Sequence, residues 1–132
     1  HDVSRRQHRG AGADQPALTP AEHRRRLGAF GERVAARFLT ARGGVVLAGN
    51  VVVGRGEIDL LVRFGSTVAA VEVKTIIPSV ASDEPLDHFT PAKARQVSQL
   101  AAALTPAVYR VDVVGVTVRR RGVDIRWLPN AC

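Results

Sequence analysis

The chain has 132 residues, 45% of them hydrophobic and 23% charged, with 19 Lys and Arg against 12 Asp and Glu for a formal charge of +7. That length and balance suit one globular domain able to bury its own core and exclude a fibrous or disordered chain, while no apolar run approaches the ~18 residues of a membrane span. The basicity makes a polyanion the expected class of partner, and it is built almost wholly from Arg, with Lys74 and Lys93 the only lysines.

Residues 1–18 hold Arg5, Arg6 and Arg9 and almost nothing to bury, so they read as a flexible basic arm ahead of a single domain spanning 19–132. Order is expected from Thr19, where Thr19-Pro20-Ala21-Glu22 fits a capping box with proline in the first helical turn. Leu27, Phe30, Val34 and Phe38 then recur at spacings of three, four and four, giving one helical stripe that Gly43-Gly44 stops. Val45–Leu47 and Val51–Val53 are β-branched runs interrupted at Gly49-Asn50, which predicts one bent strand or two short ones. Two further strands, 57–63 and 67–74, are joined at Gly65-Ser66 in a hairpin.

Residues 76–89 lose periodicity and carry Pro78, Ser79, Asp83, Glu84 and Pro85, which predicts a long exposed loop. Thr90-Pro91 repeats the cap-then-proline start, and Val97, Leu100, Ala101 and Leu104 form a second amphipathic helix. A long strand over 109–118 turns at Arg119-Arg120-Arg121-Gly122 into a last strand, 123–128. The predicted order is α-β-β-β-α-β-β. Cys132 is the sole cysteine, so no intrachain disulfide forms, and no CxxC or Cys/His cluster offers a structural zinc site. With no apolar signal core at the N-terminus, a cytoplasmic location is the expectation.

Acidic residues inside strands are the informative anomaly. Alternation puts Glu57 and Asp59 on one face of Gly56-Glu57-Ile58-Asp59-Leu60-Leu61-Val62, with Ile58, Leu60 and Val62 opposite. In Val71-Glu72-Val73-Lys74 the same rule puts Glu72 beside Lys74. Pairing through the Gly65-Ser66 turn brings Asp59 and Glu72 together, and two adjacent carboxylates repel unless a proton or cation intervenes. Hard oxygen ligands at low count suit Mg²⁺, and a lysine beside such a site could orient water or offset charge on a phosphate. The same alternation describes any half-exposed strand with Glu72 and Lys74 as a solvated pair, so both readings stand at this point. His88, in the loop, reads as a surface residue. Asp112, inside a Val-rich strand, is expected to pair with Arg110 or Arg95. Lys93 opposes the dipole at a helix start, which favours a phosphate contact, and the Arg119–Arg121 turn is either a solvated cluster or a backbone contact.

Gly31-Glu32, Ala35, Phe38-Leu39, Asn50, Gly56-Glu57-Ile58-Asp59-Leu60, Val71-Glu72-Val73-Lys74-Thr75, Thr90, Lys93 and Arg110-Val111-Asp112-Val113-Val114 together resemble the YraN-like family, over about Leu27 to Leu128. That family is similar in pattern to the PD-(D/E)XK nucleases. The resemblance implies an α/β, restriction-endonuclease-like αβββαβ core with a mixed central sheet flanked by helices. It implies a metal-dependent endonuclease acting on DNA, including branched forms, with Mg²⁺ or Mn²⁺ as cofactor. Asp59 and Glu72 would be the metal-binding acids, Lys74 the catalytic lysine and Val73 the donor of a backbone carbonyl. Glu32 would match a helix glutamate that some members add to the metal site, and Glu57 would support it. Lys93, Arg95, Arg119, Arg120 and Arg121 are the expected nucleic-acid contacts, and a homodimer working on two strands is a further expectation. Ile76-Ile77-Pro78 stands where members commonly carry an Arg, so a non-catalytic nucleic-acid-binding or scaffold protein on the same fold is the rival reading.

Overall fold

The computed structural model describes residues 16–79, 83–104 and 109–131, so most of the predicted N-terminal arm and the sole cysteine lie outside the described residues. The first helix, α1 (Pro20–Ala41), starts with the expected capping box: the Glu22 backbone N–H donates to Thr19 Oγ1 at 3.1 Å, and the Thr19 N–H donates to Glu22 Oε1 at 2.9 Å. Strands β1 (Val45–Val53), β2 (Gly56–Phe64) and β3 (Thr67–Ile76) follow as an antiparallel meander. A 3-10 turn (Pro85–His88) and helix α2 (Pro91–Leu104) lead to β4 (Tyr109–Arg119), which pairs parallel with β3, and β5 (Gly122–Leu128) closes the order β1-β2-β3-β4-β5. The parallel β3–β4 pair needs a crossover, and α2 supplies it.

The helices cover opposite faces of this mixed sheet. Ala35 and Leu39 of α1 pack on Leu60, Val62, Val71, Val114 and Val116. Val97 and Ala101 of α2 pack on Ile58, Ala70 and Val111. Neighbours Ala70 and Val71 belong to different clusters, as the two-residue period of a strand requires. Helix α1 lies unusually close to β3: a Cβ on Gly31 would sit 1.7 Å from Thr75 Oγ1, so no side chain fits there. That contact fixes the height of Glu32, the next residue, over the sheet.

One expectation is narrowed and two change. The β-branched runs before and after Gly49-Asn50 form one strand, bent by a register shift between Val46 and Ala48 and by Asn50 in the left-handed region at φ 50°. Ile58, Leu60 and Val62 do not share a face: Ile58 belongs to the α2-side cluster, Leu60 and Val62 to the α1-side cluster. The alternation breaks at Asp59 because β2 pairs with β3 only from Leu60 to Phe64, so the residues before Leu60 splay away from β3. The predicted exposed loop is also partly packed, since Pro85 is buried and a Cβ on Gly115 of β4 would meet Pro85 Cγ at 2.6 Å.

Candidate metal and phosphate site

The splay between β2 and β3 opens a cleft in the sheet, and the chain fills it with carboxylates. With no backbone partner from β2, the Val73 N–H donates instead to Asp59 Oδ2 at 2.8 Å. Asp59 therefore points along the sheet toward β3, beside Glu72, whose charge acts on it. A cavity of about 410 Å³ opens onto them, lined among others by Asp59, Glu72, Val73, Lys74, His88 and Lys93.

Charge in this cleft is poorly matched. Burial, and next the neighbouring Glu72, push the Asp59 carboxyl up to about 7, against the opposing pull of the Val73 N–H. Burial also raises Glu72, with the Lys93 ammonium pulling the other way. Lys93 Nζ lies 3.2 Å from Glu72 Oε1, while Glu72 Oε2 is buried with no hydrogen-bond partner. A buried, unpaired carboxylate oxygen costs free energy, on the order of 1–3 kcal/mol or more, that a proton or a cation relieves. The Lys93 backbone N–H donates to Thr90 Oγ1 at 3.2 Å, which sets the start of α2, and with it the ammonium, over β3.

Oxygen donors from Asp59, Glu72 and the Val73 carbonyl match the chemistry of a hard divalent cation, and the orphaned Glu72 Oε2 is the atom such an ion would satisfy. Among the described residues, no three His, Cys, Asp or Glu side chains converge as a ready-made metal cage. Glu32 is near enough to raise Asp59 and Glu72 electrostatically, yet its Oε1 accepts from Asn50 Nδ2 at 2.9 Å. The same amide donates to Glu57 Oε1 at 3.2 Å, so Glu57 is an exposed partner of the β1 bend rather than a lining residue of the cavity.

The structure thus brings Asp59, Glu72, Val73 and Lys74 together as expected, and Lys74 is exposed at the cavity rim. Lys93, expected on a nucleic-acid backbone, lines the cavity and pairs with Glu72, a carboxylate within reach of its long stem. Arg95 is exposed on α2 outside the cavity lining, and Asp112 pairs with Arg110 rather than with it. Arg119 pairs with Asp124 across the β4–β5 turn, Arg120 lines a separate shallow cavity with Ile77 and Pro78, and Arg121 is exposed. His88 is exposed, in line with its reading as a surface residue, and from the end of the 3-10 turn it also lines the cavity.

Comparison with known proteins points to one family. The family model described as "Uncharacterised protein family UPF0102" matches residues 31–116. A UPF0102 protein of Streptomyces coelicolor is 37% identical over 124 residues, covering 88% of this chain and 90% of its own length. One from Treponema pallidum is 35% identical, covering 83% and 94%, and one from Acidothermus cellulolyticus is 45% identical, covering 70% of each. Among solved structures, Pyrococcus furiosus SfsA in complex with Ca²⁺ aligns at 15% identity and a TM-score of 0.33, over 79% of this chain and 63% of that one, a likeness too distant to bear on the site.

Proposed function

This chain belongs to the uncharacterised protein family UPF0102, the YraN-like family, and we propose that it is a metal-dependent endonuclease that hydrolyses phosphodiester bonds of DNA. The observation that carries this reading is the paired, donor-starved carboxylates of Asp59 and Glu72 at a cavity edged by two lysines. Asp59, Glu72 Oε2 and the Val73 carbonyl would hold Mg²⁺ or Mn²⁺, which supplies Lewis acidity toward a phosphate oxygen and an acidified water. Lys74, at the rim, meets the phosphate and offsets the charge that builds on it during in-line attack. Lys93 holds Glu72 in place before a metal binds. Thr90 and His88 shape the wall opposite β3, within reach of a strand lying in the cavity.

The test is incubation of linear, nicked and branched DNA with Mg²⁺ or Mn²⁺, beside Asp59→Ala and Glu72→Ala. Cleavage by the parent should fall at least about 100-fold in each variant. A second reading, a nucleic-acid-binding or scaffold protein without turnover, is favoured by one observation: Glu72 already owns a cation in Lys93, and only two carboxylates converge. An uncut substrate, bound equally by parent and both variants, would decide for it.

A further inference from the structure

Helix α1 presents two faces of opposite character. Gly31, Ala35 and Leu39 are buried against the sheet. On the far side, Arg26, Phe30, Arg33 and Arg37 recur at spacings of four, three and four, and all four are exposed, Phe30 at 37%. No acidic residue interrupts this stripe. Three other arginines are matched by carboxylates, Arg110 with Asp112, Arg119 with Asp124 and Arg126 with Glu84, whereas the rest of the described arginines are not. Among the described residues, no carboxylate pairs with Arg26, Arg33 or Arg37.

Arg33 lines a shallow cleft with Glu32, Asn50 and Leu60, and Glu32 acts on Asp59 from there. Arg26 and Arg37 are eleven positions apart, about 16 Å of helix, so the three guanidiniums are spread along a line rather than gathered at one point.

We infer that the Arg26–Arg33–Arg37 face of α1 is a docking surface for the phosphate backbone of duplex DNA. The inference deepens the proposed function and rests on it for the identity of the polyanion. Guanidinium groups on a rigid helix form charge-assisted hydrogen bonds to phosphate oxygens without reading sequence, and the partly exposed Phe30 offers an apolar contact to sugar between them.

The experiment measures binding of the full chain to a labelled DNA duplex without divalent metal, across a salt series. Arg26→Gln/Arg33→Gln/Arg37→Gln should reduce the slope of log affinity against log salt by about 2 to 3, at about 0.9 per lost phosphate contact. The corresponding triple Lys variant should keep the parent slope, which separates lost charge from lost folding. The triple Gln change at Arg119, Arg120 and Arg121 should alter the slope less than the α1 change. An unchanged slope in the α1 Gln variant overturns the inference, as does a larger effect at the turn, or binding of anionic lipid vesicles in place of DNA. Hydrolysis of a small activated phosphodiester with Mn²⁺ reads the cleft alone: its absence defeats the proposed function, whereas the salt slopes judge the docking surface.

Discussion

Two carboxylate clusters lie on neighbouring strands of this sheet, and their surroundings differ in kind. Asp112 on β4 is completely buried, and each of its oxygens is spoken for. Oδ1 accepts from Arg110 Nε and from the Asn130 N–H, both at 2.9 Å; Oδ2 accepts from Arg110 Nη2 at 3.1 Å and Trp127 Nε1 at 3.0 Å. Trp127 is itself locked by stacking on Phe64, with ring centroids 5.5 Å apart, and by an edge contact with Phe38. Asp59 and Glu72 are less buried, yet between them they hold one backbone N–H and one lysine, with an oxygen left unpartnered. A fully satisfied buried charge fastens β5 to β4. An under-satisfied pair at a cavity is a site waiting for a ligand.

The contrast can be broken from either side. Asp112→Ala strips the acceptor from a partly buried guanidinium, an indole and a backbone amide, and should lower stability by about 3–5 kcal/mol in urea unfolding. No comparable loss should follow at Asp59, where burial disfavours the charge. With the folded carboxyl raised from 3.8 to about 7, its stabilising effect is complete below about pH 4 and is lost as pH rises through 7. The metal-free protein should therefore melt at a lower temperature at pH 8 than at pH 5, and Asp59→Asn should flatten that dependence and raise the pH 8 melting point. A parent whose melting point rises from pH 5 to pH 8 would contradict the electrostatics described for the cleft. The smallest effect is at Lys93. Lys93→Gln removes the ammonium facing Glu72, so Mn²⁺ affinity measured by calorimetry should tighten about two- to fivefold, the worth of one half-exposed charge contact. Weaker Mn²⁺ binding in that variant would assign Lys93 a supporting role in the ligand set.

Much of this was legible beforehand, residue by residue. The Thr19 capping box, the Gly65-Ser66 hairpin and the α-β-β-β-α-β-β order follow from local chemistry and appear as expected. The convergence of Asp59 with Glu72 and Lys74 was visible in the pairing through the Gly65-Ser66 turn and in the family resemblance. Alternation failed at Asp59 itself, since it assumes a regular ladder and β2 leaves β3 there. The Lys93–Glu72 pair was invisible because it joins a helix start to a strand 21 positions earlier, and the placement of His88 depends on a turn packed against Gly115.

Element order and the residue types of the site are properties of short stretches of chain, where turn preference, capping and hydrophobic period act over a few residues, and so the sequence alone settles them. Which acid is quiet and which is exposed to demand belongs to the tertiary structure. Asp112 and Asp59 look alike in sequence, each an aspartate among β-branched and leucine neighbours. Donors brought from β5 and the chain beyond it satisfy the first, while the parting of β2 from β3 denies them to the second. Solvation and hydrogen bonding are set by atoms that only folding brings near, and they decide which carboxylate remains available for chemistry.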